Sequence, residues 1–310
     1  MGKATREAYG EALRELGGQN ENIVVLDADL SGSTKTAMFK KAYPTRFFNA
    51  GIAEQSMIGT AAGLAAAGKI PFASTFAVFA TGRAFEQIRN SVCYPKLNVK
   101  IAATHSGLTV GEDGATHQAI EDVAIMRALP NMSVIVPADA AEAAAAVRFA
   151  AEHNGPMYIR LGRSGVPDVF DETYEFKFGK ASVLKEGTDV TLIGMGIMTA
   201  AALEAADMLA EEGISAAVIN MSTIKPIDEE AIIAAAQATG AIVTCEEHNI
   251  IGGLGSAVAE VLAEKASARL VRVGVKDTFG ESGKPADLLK KYGLTAADIA
   301  AAAKQAIAAK

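Results

Sequence analysis

Short, unbroken apolar runs recur along this chain about one helix apart, and that rhythm restricts the fold more than any single motif does. Ile23 to Leu26, Ile70 to Ala73, Val99 to Ala103, Ser133 to Val136 and Met157 to Leu161 each read as a strand buried on both faces, with Phe47-Phe48 a shorter one. Helical segments fall between them: Thr5 to Leu16, ended by Gly17-Gly18; a small-residue helix opened by Glu54; Phe76 to Asn90; Ile120 to Ala128; and Ala140 to His153, capped by Asp139. Strands and helices alternating at this pitch require a parallel α/β sheet with crossover connections, and ligands then sit at the carboxyl ends of the strands.

The rhythm breaks between Gly162 and Lys185, where glycine, proline and acidic residues collect, and restarts at Val190 to Ile193. Helix Thr199 to Glu212, strand Ala216 to Asn220, helix Asp228 to Ala238, strand Ala241 to Cys245, helix Leu254 to Lys265, strand Leu270 to Val273 and a final alanine-rich helix follow. A chain of 310 residues exceeds what one core usually supports. The expected organisation is therefore two three-layer α/β domains with mostly parallel sheets, residues 1–167 and 186–310, joined by a linker over 168–185.

Charge and cysteine usage narrow the function. A net charge of −7 without a basic run argues against nucleic-acid or anionic-membrane surfaces. No stretch stays apolar for the ~20 residues a membrane span needs, and Met1 to Asn20 has no signal-peptide core, so a cytoplasmic location is expected. Cys93 and Cys245 are far apart with no CxxC partner, so neither a staple nor a structural metal site is expected.

Three constellations carry chemistry. In RFFNAGIAEQSMIGTAAGLAAA, Glu54 is the only charged residue between Phe47 and Ala67 and sits among small residues that bring backbones close, where desolvation favours a protonated carboxyl. Read alone, the stretch fits better a first-turn Glu satisfying free N–H groups and the helix dipole. The loop THSGLTVGEDGATHQ places His105, Asp113 and His117 between a strand end and a helix, with glycines that let a ligand approach the backbone. Metal ligation is a weaker reading, because no HxH or HxxxH spacing occurs. Arg6, Arg160 and Arg163, with Ser33 after the first strand, suit a phosphate or carboxylate, although each singly reads as a surface charge. Phe76 and Phe79 could be core or could wall an aromatic ring. LIGMGIMT and IIGGLGS are poor dinucleotide fingerprints, and neither a G-K-[ST] loop nor a GxSxG elbow occurs.

Taken together, NAGIAEQ, THSGLTVG and GEDGATHQ resemble the transketolase family, and the likeness spans essentially the whole chain as its pyrimidine-binding domain followed by its C-terminal domain. The chain resembles the second subunit of a transketolase split into two polypeptides. The resemblance implies thiamine diphosphate as cofactor, with Glu54 bonding to its pyrimidine N1′, Phe76 and Phe79 enclosing the ring, and Asp29 with Leu30 bordering it. The family's further aromatic, a tyrosine one turn beyond Phe79, is not evident. It also assigns Arg6, Ser33, His105 and Arg163 to a sugar phosphate, and Asp113 and His117 to substrate hydroxyls near the reacting carbons. Glu54, His105 and His117 are thus the implied catalytic residues of a two-carbon ketol transfer from a ketose phosphate to an aldose phosphate, a reaction of the pentose phosphate pathway. Ala115 and Ala119 stand where the common pattern has prolines. The family's GDG motif, which with a later Asn holds the diphosphate and Mg²⁺, is absent here, so the resemblance implies a separate N-terminal subunit that holds the metal, as an α2β2 assembly. The segment EEHNIIGG, from Glu246, resembles a family segment near the subunit interface and is assigned to assembly. Alternatives of the same layout are a 2-oxo-acid dehydrogenase beta component and a 1-deoxyxylulose-5-phosphate synthase-like enzyme; a non-catalytic regulatory relative is the alternative outside catalysis.

Overall fold

The computed structural model describes residues 2–310. Its first half supplies strands β1 (Ile23–Asp27), β2 (Phe47–Asn49), β3 (Ile70–Ser74), β4 (Lys100–Ala103), β5 (Ser133–Ile135) and β6 (Met157–Arg160). Its second half supplies β7 (Ser182–Lys185), β8 (Val190–Gly194), β9 (Ala216–Asn220), β10 (Thr223–Lys225), β11 (Ala241–Asn249) and β12 (Arg269–Val275). They form a seven-stranded sheet, β10-β5-β6-β4-β3-β1-β2, and a five-stranded sheet, β12-β11-β8-β9-β7. Every pairing is parallel except the two edge pairs, β10 with β5 and β7 with β9. The mostly parallel α/β architecture expected from the apolar runs is the one observed.

Both faces of each sheet are covered. Helices Thr5–Gln19 and Ala140–Glu152 pack on one face of the first sheet through Ala8, Ala12, Ala143 and Ala146, while Glu54–Ala66 covers the other. In the second sheet, Met198–Glu211 and Ala296–Ala308 lie opposite Glu229–Thr239 and Leu254–Lys265. One apolar cluster runs from Val24, Met57 and Ile101 through to Ile193, Ile232 and Leu254, so the two halves share a core.

Four local expectations are revised. Strand β10 leaves the second half to cap the edge of the first sheet, and the end of the expected linker is strand β7. The segment expected as a plain helix from Phe76 to Asn90 has wide π-helical turns at Phe79–Arg83 and Ile88–Cys93 around the short α-turn Phe85–Gln87. The final alanine-rich helix is two, Pro285–Lys291 and Ala296–Ala308, parted at Gly293 and restarted by a capping box at Thr295.

The seam between the halves holds buried charge. Asp122 accepts from Tyr158 Oη at 2.6 Å and Arg160 Nε at 2.8 Å, and Arg160 Nη2 donates to the carbonyls of Ala119 (3.1 Å) and Glu247 (3.0 Å). Burial pushes the Asp122 carboxyl upward, but Arg160 and His248 outweigh it and hold it below its ordinary value. Arg160, read from sequence as a candidate anion ligand, is thus consumed internally at the seam. The side chains of Glu246, Glu247 and His248, assigned from sequence to assembly, are buried within this chain, where Glu247 accepts the Thr109 amide and His248 the Ala124 amide across the seam. Glu246 accepts the amides of Leu254 and Gly255 at 2.7 and 2.9 Å, capping the helix that follows. Of that segment, Ile251 is the large apolar residue left exposed.

Removing one partner of a buried pair leaves an uncompensated charge. Asp122→Ala is expected to destabilise the chain by ~3–5 kcal/mol, read as a lowered midpoint of denaturant unfolding. An unchanged midpoint would show that the pair does not hold the seam.

Candidate active site

In the first sheet the chain reverses direction between β1 and β3, and the crevice above the carboxyl ends there is where an open α/β sheet takes a ligand. The loop after β1 is folded by Asp27, whose buried carboxylate accepts from the Leu30 amide (2.6 Å), Thr34 Oγ1 (2.7 Å) and Thr36 Oγ1 (2.9 Å). Asp29 follows in the left-handed region, φ +64°, and exchanges hydrogen bonds with Asn49 at the end of β2, Nδ2 donating to its carboxylate at 3.0 Å. Leu30 therefore lies beside this exchange through its backbone, and Ser33 offers its carbonyl to Arg6 Nη1 at 2.8 Å.

Glu54 is the first residue of its helix and is buried, with its side chain 2% exposed. Arg83 Nη1, from the first π-helical turn, donates to Oε1 at 2.8 Å, while Oε2 is buried with no hydrogen-bond partner among the described residues. The guanidinium of Arg83 lies 4.5 Å from the centroid of the Phe79 ring, and its side chain is half exposed. No sequence signal links residues so far apart, and Arg83 was not among the candidates.

Phe76 and Phe79 stack with centroids 5.9 Å apart, and His105 stacks on Phe76 at 3.8 Å. His117 meets the Phe79 ring edge-on at 5.4 Å and that of Phe76 at 6.2 Å. The two phenylalanines, read from sequence as either core or wall, link Arg83 and its partner Glu54 on one side to both histidines on the other. Each imidazole uses Nδ1 locally, His105 with Thr104 Oγ1 at 2.8 Å and His117 with Thr116 Oγ1 at 2.9 Å, which leaves Nε2 for a ligand.

Cations gather behind His105. Arg6 Nε donates to the Arg163 carbonyl at 3.0 Å; Arg163 in turn donates to the Val110 carbonyl and lies 3.6 Å from Asp113 and 3.9 Å from Glu112. Burial first, then the charges of Arg6, Arg163, His117 and Lys35, push the His105 imidazole down to about 3, so it is neutral at physiological pH. Lys35, in the left-handed region at φ +71°, is a second contributor absent from the sequence candidates. The structure thus brings Arg6, Ser33, His105, Asp113 and Arg163 into one cluster, joined through Phe76 and Phe79 to His117 and Glu54. A groove of about 750 Å³ lies elsewhere, lined by Ala8, Ala12, Ala141, Ala144 and the acidic stretch from Asp168; none of these cluster residues touches it. Glu54, His105 and Phe76 are buried, while Ile52, two residues before Glu54, is 79% exposed.

Known proteins share this architecture. Residues 1–168 match the profile described as Transketolase, pyrimidine binding domain, and residues 179–299 match Transketolase, C-terminal domain. A Methanocaldococcus jannaschii protein named "Putative transketolase C-terminal section" is 56% identical over 301 residues, covering 96% of this chain and 94% of that one. The "6-deoxy-6-sulfo-D-fructose transketolase subunit SqwH" of Clostridium sp. (strain MSTE9) is 47% identical over 300 residues, covering 97% and 93%. A solved structure described as "Split gene transketolase, inactive beta4 tetramer" superposes with a TM-score of 0.93 at 65% identity, covering 99% of each chain. On sequence and fold alike, the chain belongs to the transketolase family, in which it corresponds to the pyrimidine-binding and C-terminal domains.

Proposed function

We propose that this chain is one half of a thiamine diphosphate-dependent transketolase, transferring a two-carbon ketol unit between sugar phosphates once a separate N-terminal chain completes the site. The family is thiamine diphosphate dependent. The observation that carries the reading is Glu54 Oε2, buried at a helix start beside two stacked phenylalanines and lacking a partner among the described residues. A buried acceptor of that kind fits a ring nitrogen, and Phe76 and Phe79 fit the faces of an aminopyrimidine. When bound, thiamine diphosphate supplies the nucleophilic carbon and electron sink needed to break a bond beside a ketose carbonyl.

The chain's own groups then have distinct tasks. Glu54 holds or yields a proton at Oε2 toward the ring, while Phe76 and Phe79 exclude water from one side. Neutral His105 offers Nε2 to a substrate oxygen without charge, and His117 presents its own Nε2 nearer Phe79. Arg6 and Arg163 each spend only part of their donor sets on carbonyls and can meet a phosphate at the outer end, with Ser33 beside Arg6. Asp113, exposed beside Arg163, faces substrate hydroxyls. Asp29 and Leu30 border the cofactor crevice from the β1 loop.

The lack of a GDG motif in this chain supports a reading in which the other polypeptide holds the diphosphate and Mg²⁺, in an α2β2 assembly. The relative described as an inactive beta4 tetramer supports this division of labour. Purified alone with thiamine diphosphate and Mg²⁺, the chain is expected to show no ketol transfer, and adding the N-terminal subunit should restore it. In the restored pair, Glu54→Gln should lower kcat by about a hundred- to ten-thousand-fold. Turnover by the isolated chain, or full activity of the variant, would defeat the reading.

Arg83 occupies both the Glu54 carboxylate and the Phe79 face that the pyrimidine would use, so it has to turn away when the cofactor binds. Arg83→Gln is therefore expected to tighten cofactor binding to the reconstituted pair by about three- to tenfold, measured by titration calorimetry. Weaker binding would show that Arg83 holds the cofactor itself. The depressed His105 imidazole should show no titration between about pH 5 and 8 in histidine-selective NMR, the range in which an ordinary imidazole changes charge. A midpoint in that range would contradict the neutral His105 on which substrate bonding rests.

A further inference from the structure

The loop carrying both histidines is shaped from the second half of the chain. Its neck closes where Ser106 pairs with Ala119 and the Gly107 amide donates to the Ala119 carbonyl at 2.8 Å. Glu247, at the end of β11, enters this neck: Oε1 accepts the Thr109 amide at 2.5 Å, and its carboxylate fills the space a Cβ on Gly107 would need. Gly107 adopts φ +75°, a conformation glycine takes freely, so both backbone and space at this point are reserved for the carboxylate. The carbonyl of Glu247 and that of Ala119 share the Nη2 group of Arg160. Further along, Ser282 Oγ donates to the Glu112 carbonyl at 2.6 Å, and Gln118 Nε2 donates to the Glu281 carbonyl at 2.9 Å. His105 lies two residues before Gly107 and His117 two before Ala119, so the neck sets the direction in which both imidazoles leave it.

We propose that Glu247 is a positioning residue: through Thr109, Gly107 and the shared Arg160 contact, the C-terminal half fixes the loop that presents His105 and His117. That assigns the second domain a part in substrate placement in addition to its share of the core. The inference rests on reading these histidines as substrate contacts, while the loop geometry itself stands apart from that reading.

Two measurements separate the claims. In the chain alone, Glu247→Ala is expected to raise amide hydrogen exchange in peptides covering residues 105–119 by about ten- to hundredfold, the loss of one buried hydrogen bond. Exchange in β1, β4 and β8 should stay as in the parent chain, and Glu247→Gln, which keeps the accepting oxygen, should restore most of the loop protection. In the reconstituted pair, Glu247→Ala is expected to raise KM for the ketose phosphate about tenfold or more while thiamine diphosphate affinity stays the same. Unchanged loop exchange, exchange raised equally across the whole chain, or a failure of Glu247→Gln to restore the loop would overturn the proposal. If the parent pair shows no ketol transfer, the functional reading fails and the exchange comparison decides the positioning claim by itself.

Discussion

A carboxylate oxygen buried without a donor costs about 1–3 kcal/mol, and Glu54 carries one at the centre of the candidate site. The rest of the first domain explains how the chain sustains that cost. Parallel strands bring the loops after β1, β3, β4 and β6 to the same end of the sheet, and small residues behind Glu54 allow its helix to seat the side chain out of water. Arg83 satisfies the other oxygen and lies on the Phe79 ring, so the isolated chain fills with its own guanidinium a position suited to a flat, nitrogen-bearing ring.

Charge is graded across the site. Near Glu54 and the phenylalanines there is one ion pair and much apolar surface, whereas Arg6, Arg163 and Lys35 gather beyond His105 and add to the burial that drives its imidazole to the neutral form. A ligand with an aromatic ring at one end and an anion at the other would meet complementary surroundings at both. The histidines stand between these regions on a loop whose shape depends on Arg160, Glu247, Glu281 and Ser282. Three of these four belong to the C-terminal half. Both halves therefore contribute to the candidate site, one with the proposed ligand groups and the other with those that hold the loop.

Much of this was legible in the sequence because it depends on local pattern. Doubly buried strands such as Ile23–Asp27 and Val190–Gly194 show as continuous apolar runs, and the Asp139 cap shows as an acidic residue before an alanine-rich helix. The histidine loop showed as an excess of polar and glycine residues at a strand end. What stayed hidden depends on partners distant in sequence. Arg83 and Arg160 are both basic residues near candidate ligand segments; only folding reveals that one meets Glu54 and the other Asp122. The π-helical turns escape because apolar spacing does not register a widened turn. Strand β10 escapes because its partner lies in the other half of the chain, and Glu246, Glu247 and His248, assigned from sequence to subunit assembly, have partners inside this chain that only folding reveals.

The central claim is that Glu54 and a pyrimidine nitrogen face each other across a junction between two polypeptides. It is tested most directly by solving the structure of this chain bound to its N-terminal subunit and thiamine diphosphate. The account predicts the Glu54 carboxylate within hydrogen-bond reach of the ring nitrogen, about 2.6–3.2 Å, with Arg83 swung off the Phe79 face. A structure in which Arg83 still pairs with Glu54 while the cofactor lies elsewhere would contradict it.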